Sequence, residues 1–435
     1  MGVPTKKHAA MKWSVLGIAA LVLCILFKGY ELSEFDPYSN VLVAGRMMQI
    51  AEGQTTSGFL GVYTQEWGDP QNYVLFQTDA DITQLTYQPY LDQSGLQGSF
   101  LGIINLTLKV VGISGNIREA ILSMLLSFLF WLLLLVIAWK LATEIHPLAG
   151  FIFISAYMGS PYAVRAANSY YWAVFTWLLP IAVVLLTAKR TYTSDFKNNK
   201  LFYCAIALAI IIKCACGFEY TTTVMVMSEL PLVFAFFNVE TTRERWKVLS
   251  TAFKIGISEL IGFFIALAVW VLQLCNYYDV SNGGGGDVAE KLRIIVGTRI
   301  GLVHIEGDGI SEAQESFTRI QTVARYFSNE FACIEIAGIK VGTFTVILVT
   351  IFCVVLAVLI LHYKHRPKEV QKVIAIAATT AIAYLAPASW LFLASGHAWV
   401  HHSLTPLLNM FMAVPLSCVT IFYTLYMIWN IYMRR

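Results

Sequence analysis

The stretch Arg118-Glu-Ala-Ile-Leu-Ser-Met-Leu-Leu-Ser-Phe-Leu-Phe-Trp-Leu-Leu-Leu-Leu-Val-Ile-Ala-Trp-Lys140 decides the fold class. From Ala120 to Trp139 it carries no charge, and that length in a helix crosses the hydrocarbon core of a bilayer. Runs of the same kind recur along the chain. They lie near 13–28, 118–140, 147–161, 171–188, 201–218, 220–238, 254–276, 341–363, 372–395 and 406–431. The expected fold is therefore an all-α polytopic membrane protein of about ten transmembrane helices. The composition agrees: 57% of residues are hydrophobic and 13% charged, where a soluble domain carries about 25% charged. The net charge of +3 is too small to argue for a nucleic-acid partner.

The distribution of charge sets the expected orientation. Lys6, Lys7 and Lys12 precede the first run, and Arg434 and Arg435 follow the last. Lys140, then Lys189, Arg190, Lys197 and Lys200, then Arg243, Arg245, Lys247 and Lys254, then Lys364, Arg366, Lys368 and Lys372 fall in alternate connections. Those positions hold 18 of the 30 basic residues, and basic residues near span ends mark the cytoplasmic side. Both termini are thus expected in the cytoplasm, in an inner or plasma membrane. The apolar run after Lys12 lacks a small-x-small cleavage site and reads as a retained anchor rather than a signal peptide.

This divides the chain into an anchor helix (1–28), a first extracytoplasmic loop (29–117), membrane helices two to seven (118–276), a second extracytoplasmic loop (277–340) and helices eight to ten (341–435). Residues 28–117 carry nine Asp or Glu against three Lys or Arg. Structureless loops of that length are uncommon unless functional. Val43, Met47, Ile50 and Ala51 in 39–53, and Phe100, Ile103, Ile104 and Leu108, have helical spacing and predict surface helices. The glycines 283–286 predict a joint leading to a small helical segment.

The eight cysteines lack metal-ligand spacing; Cys275 and Cys333 flank the second loop and are the pair that an oxidising compartment would join. Asn105-Leu-Thr fits a glycosylation sequon.

Chemistry is expected first at Glu34 and Asp36, carboxylates just beyond the first span. A loop acid is ordinarily only solvated. Here Ser39 is expected to cap the helix carrying Arg46, and a carboxylate held under such a helix suits general-base work. Charge growing on a leaving phosphate needs donors nearby. At the same face the topology offers Arg165 in the turn Ser160-Pro-Tyr-Ala-Val-Arg165, Lys213 near the end of its span, and His397, His401 and His402. The plain alternatives are an interfacial arginine for Arg165 and, for Lys213, an ion pair with Glu219 or Glu229. A divalent metal bridging Asp36 and His397 is the alternative to direct phosphate binding. Trp67, Tyr87 and Tyr90, with Asp92 beside them, are candidates for a sugar platform. The aromatics at 162, 170–172, 277 and 278 otherwise read as an interfacial belt. Glu229, beside Ser228 and Pro231 in the sixth span, fits an ion or proton path.

The stretch Glu34-Phe-Asp36-Pro-Tyr38-Ser-Asn-Val-Leu-Val-Ala-Gly-Arg46-Met-Met-Gln-Ile-Ala-Glu-Gly53, together with one preceding span and a long outer loop, resembles the GT-C type of glycosyltransferase. The resemblance covers about 25 residues plus the topology. It implies a polyprenyl-phosphate-linked sugar as donor, a glycan or glycolipid acceptor, and Asp36, or Glu34 in its place, as the base. Many members carry adjacent acids, whereas Phe35 separates the two here. The segments from Tyr90 to Gly98 and from Gly396 to His402 also look like multi-span proteins of bacterial surface-polysaccharide systems. A transporter or flippase built on Glu229 and Lys213, and a polymerase or ligase using Arg293, Arg299, Arg319 and Arg325, are the competing readings.

Overall fold

Hydropathy decides where this chain is helical. The computed structural model describes residues 6–27, 36–54, 58–64, 69–193, 200–282, 288–300, 303, 318–401 and 404–433. In chain order the helices are α1 (Lys6–Leu26), α2 (Pro37–Ala51), α3 (Gln71–Thr78), α4 (Leu96–Val110), α5 (Gly115–Glu144), α6 (Pro147–Met158), α7 (Pro161–Ala166), α8 (Phe175–Thr193), α9 (Lys200–Cys216) and α10 (Thr221–Ser228). They continue with α11 (Leu230–Asn238), α12 (Thr242–Asn282), α13 (Val288–Ile300), α14 (Arg319–Tyr326), α15 (Thr343–Tyr363), α16 (Pro367–Leu393), α17 (Ser395–Val400), α18 (Thr405–Met410) and α19 (Ala413–Met433).

Among the described residues, six helical stretches are long and apolar enough to cross a membrane: Gly115–Glu144, Thr221–Asn238, Thr242–Tyr278, Thr343–Tyr363, Pro367–Leu393 and Ala413–Met433. The fold is that of a multi-pass α-helical membrane protein. The expected runs at 13–28, 147–161 and 171–188 are shorter apolar helices, and 201–218 is the 17-residue α9. Lipid-facing residues on these helices are exposed and apolar, as on α15, where Phe344, Leu348, Phe352 and Leu359 line one side. Between helices the polar contacts are local. Thr380 and Thr420 pair hydroxyls at 2.8 Å, and Tyr384 and Ser417 at 3.0 Å, joining α16 to α19.

The helical class agrees with the all-α expectation, with one small addition among the described residues. Two small antiparallel hairpins are present, β1 (Leu60–Val62) with β2 (Gln88–Tyr90), and β3 (Ala332–Ile336) with β4 (Ile339–Gly342). Strands of three to five residues leave too short an alternation to read from sequence. The first hairpin exists because α2 packs on it. A Cβ on Gly45 would stand 2.0 Å from the Gly61 carbonyl oxygen, so the helix approaches the strand at backbone contact.

Both helices expected in the first loop form, but α2 does not lie on the surface. Its residues Asn40 to Gln49 are all buried, covered by α3, α4 and β1. In α4 the apolar residues Phe100 and Ile103 face outward, while Gln97 and Asn105 are buried. That inverted pattern fits a helix with lipid outside and a polar interior beneath it.

Asn105 is 1% exposed, accepts from Arg118 Nε at 2.8 Å and donates to the Met47 carbonyl, so the sequon is closed to a glycan. Cys275 and Cys333 are both free thiols, and Cys333 instead sits buried 2.9 Å from the Thr343 hydroxyl. Glu34, Trp67, His402 and the glycines 283–286 lie outside the described residues.

Candidate functional site

Asp36 caps α2. Pro37 fits the first helical position, where no N–H is needed, and the Asp36 Oδ1 accepts from the Ser39 N–H at 3.2 Å. The cap is thus Asp36 and not Ser39, which is the third helical residue; a proline at the first turn moves the start three residues toward the N-terminus. The second carboxylate oxygen accepts from Trp172 Nε1 at 2.7 Å. Both oxygens keep lone pairs beyond these bonds.

The partner turn is held in place by one asparagine. Asn40 Oδ1, fully buried, accepts from Ser169 Oγ at 2.9 Å and from the Tyr171 N–H at 3.0 Å. Ser169 Oγ in turn accepts from the Trp172 N–H at 3.3 Å. The Tyr170 hydroxyl donates to the Glu119 carbonyl at 2.8 Å, tying the turn to α5. The start of α2 and residues 169–172 therefore move as one unit.

From Trp172 an aromatic run crosses the end of the bundle. Trp172 lies 5.8 Å from Tyr220, Tyr220 lies 5.6 Å from Trp390, and Trp390 lies 6.3 Å from His397. His397 then stands 4.5 Å from His401. Trp177 packs on Trp172 and on Tyr220, and the Lys213 ammonium lies 5.8 Å from its ring centroid. Asp36, Lys213, His397 and His401, far apart in the chain, are thus joined by one run of aromatic contacts, with Asp36 at one end and the two histidines at the other.

Three further features mark this region. Among the described residues, six non-glycine residues have positive φ, and three belong here: Asp36 (49°), Ala173 (40°) and Tyr220 (59°). Backbone strain of this kind persists where surroundings over-determine it, and it concentrates at working sites. Second, several buried polar atoms have no protein partner, including the Tyr73 hydroxyl, both amide atoms of Gln93 and Trp390 Nε1. Buried polar atoms in native proteins are nearly always satisfied, by water or ligand where not by protein. Third, a titratable side chain beside it is held neutral by its surroundings. Burial, with Glu119 and Asp36 in electrostatic reach, pushes the Tyr73 phenol above its ordinary range.

The other expected residues fall as follows. Lys213 is 2% exposed and donates to the Gly217 carbonyl at 2.5 Å, with Glu219 in electrostatic reach. Arg165 stands half-buried on α7, which packs against α18 and β3, one turn before the Ser169 segment. Tyr90 is half-buried with its hydroxyl 3.5 Å from that of Tyr171. Tyr87 is enclosed by the hairpin, its hydroxyl donating to the Phe59 carbonyl at 2.9 Å and its ring against Gly61 and Tyr63. Asp92 pairs with Lys291 at 3.6 Å, which fastens the first loop to α13. Of the second-loop arginines, Arg293 pairs with Glu290, Arg325 with Glu330, and Arg319 lies over Phe392. Among the described residues no group of three or more His, Cys, Asp or Glu is placed to hold a metal ion.

A second polar group lies in mid-bundle. Ser228 Oγ donates to Glu259 Oε1, Glu229 is within electrostatic reach of Glu259, and Glu229 Oε2 has no partner. The expected alternative of a Glu229–Lys213 pair is replaced by this acid–acid neighbour, because Lys213 turns to the Gly217 carbonyl above. Glu259 was not anticipated. It sits five residues into the expected span 254–276, where an acid reads as a boundary, yet α12 starts at Thr242 and carries it near the helix midpoint. Asn40, Ser169, Gln93 and Trp390 also carry no local sequence signal.

No family model, curated protein or solved structure matches this chain.

Proposed function

We propose that the chain is a membrane glycosyltransferase of GT-C-like character, with about ten spans, cytoplasmic termini and its site on the extracytoplasmic face. The donor is a polyprenyl-phosphate-linked sugar, and the acceptor a hydroxyl of a surface glycan or glycolipid. The observation that carries this reading is Asp36, held by Ser39 and Trp172 at one end of an aromatic run that leads past Lys213 to His397, with strained backbone at Asp36, Ala173 and Tyr220. The positive-inside distribution of the basic residues supports the orientation.

In this scheme the acceptor oxygen attacks the anomeric carbon. Its proton passes to the Asp36 carboxylate, which Ser39 and Trp172 hold by one bond to each oxygen. The bond from the anomeric carbon to the phosphate oxygen breaks, and its electron pair stays on the phosphate. One displacement inverts the anomeric centre. His397, His401 and Arg165 are the donors assigned to the leaving phosphate, and Lys213 supplies positive charge from beneath the Trp177 ring. Tyr90, half-buried beside Tyr171, offers a ring for the sugar.

A transporter of lipid-linked sugars is the second reading, favoured by Ser228, Glu229 and Glu259 in mid-bundle. A polymerase or ligase would use the same substrates, but two of its expected arginines are already ion-paired.

Reconstitution separates them. Protein in vesicles is given polyprenyl-phosphate hexoses and extracted acceptor. A transferase releases free polyprenyl phosphate, and Asp36→Asn does not. A flippase moves the intact lipid between leaflets, with loss in Glu259→Gln and not in Asp36→Asn.

A further inference from the structure

At the end of the bundle opposite Asp36, α5, α8, α11, α16 and α19 enclose a cavity of about 210 Å³. Its walls are apolar: Ile181, Leu185, Phe234, Ile376 and Leu416 among them. Lys140, Glu144 and Asn238 stand in its rim. Lys372 donates to the carbonyl of Ile145, another rim residue, at 3.1 Å. Lys12 lies over the Trp139 ring beside Lys140. Lys140 and Glu144 thus stand in the rim itself, and Lys372 and Lys12 add two more ammonium groups beside rim residues.

We propose that this cavity holds one acyl chain of an anionic phospholipid, with the lipid phosphate at Lys140 and Lys372. The site is independent of the transfer reaction assigned to the Asp36 end. Apolar walls exclude water and favour an apolar occupant. The cavity admits the inner part of one acyl chain, laid against these apolar walls. The charge on the rim selects the headgroup: basic residues at the membrane surface attract anionic lipid.

The test uses the full chain in nanodiscs of phosphatidylcholine with a trace of phosphatidylglycerol bearing a diazirine near one chain end. After irradiation the labelled residues are mapped by mass spectrometry. Labels are expected on Ile181, Leu185, Phe234 or Ile376. Excess phosphatidylglycerol should suppress them about tenfold, while the same excess of phosphatidylcholine or undecaprenyl phosphate should not. Ala235→Trp, which fills the cavity, should remove the labels, and Lys140→Gln with Lys372→Gln should abolish the preference for phosphatidylglycerol. The wild-type map alone decides if a variant fails to fold. Labels confined to outward residues such as Phe344 and Phe352 overturn the proposal. So does equal competition by phosphatidylcholine, or better competition by undecaprenyl phosphate.

Discussion

Asn40→Ala should release the start of α2 from the turn that brings Trp172 to Asp36. In the wild type the Asn40 Oδ1 accepts at 2.9 Å from Ser169 Oγ and at 3.0 Å from the Tyr171 N–H, fully out of solvent. Each neutral hydrogen bond contributes about 1 kcal/mol, and a buried N–H left without an acceptor costs about 1–3 kcal/mol. The Ser169 hydroxyl can rotate, so its share is the smaller one. The expected loss is about 2–4 kcal/mol, most of it from Tyr171. The free thiols supply the assay. Cys24, Cys214, Cys216, Cys333 and Cys353 are buried, so a thiol-reactive fluorophore in detergent reports unfolding as they emerge, over the background of exposed Cys204. Midpoints are compared at one heating rate, since such unfolding is irreversible. The Asn40→Ala midpoint should fall by several degrees. Ser169→Ala added to it should cost less than Ser169→Ala alone, because the two share a bond. A midpoint within about 1 °C of wild type would refute the reasoning, as would losses that simply add.

Three further outcomes are expected. Gly45→Ala drives a Cβ into the Gly61 backbone and should cost about 2 kcal/mol or more, whereas Gly256→Ala, with nothing within 4 Å, should be neutral or stabilise by up to about 1 kcal/mol in the same thiol assay. Arg118→Ala removes a 2%-exposed guanidinium that binds Asp79, Asn105 Oδ1 and the Ile113 carbonyl; it should cost about 3 kcal/mol by thermal midpoint, the lower end of the range for a buried pair, because Asp79 is about a third exposed. Alkylation without reductant, read by peptide mass spectrometry, should find Cys275 modified in the native protein and Cys333 only after denaturation, with no Cys275–Cys333 disulfide in either state.

The membrane helices are legible in the sequence because lipid forces every backbone group into a helix and demands an apolar surface. The run 118–140 lies within α5, and 341–363 matches α15 to two residues. The Asp36–Pro37 pair marks the start of α2, though the capping residue itself was read three positions late. Beyond that the sequence is silent for physical reasons. The burial of α2 is decided by Gly61 and by residues 169–172, and the Trp172 bond to Asp36 spans 136 positions. Lys213, Tyr220 and His397 are linked only through Trp177 and Trp390, residues that no local pattern ties to them. Tyr87 looked available in a polar loop but is consumed by a hairpin three residues long. Glu259 was legible in principle as an acid within a long helix, and was obscured by the uncertain start of that helix.

The most direct test of the central claim is mass spectrometry of the lipid-linked sugar pool and the surface glycan. It compares the native cell with a deletion strain complemented by wild type or by Asp36→Asn at matched membrane levels. The transferase reading predicts that Asp36→Asn copies the deletion: one glycan substituent disappears and its polyprenyl-phosphate donor accumulates. An Asp36→Asn strain with the wild-type glycan and no accumulated donor would contradict it.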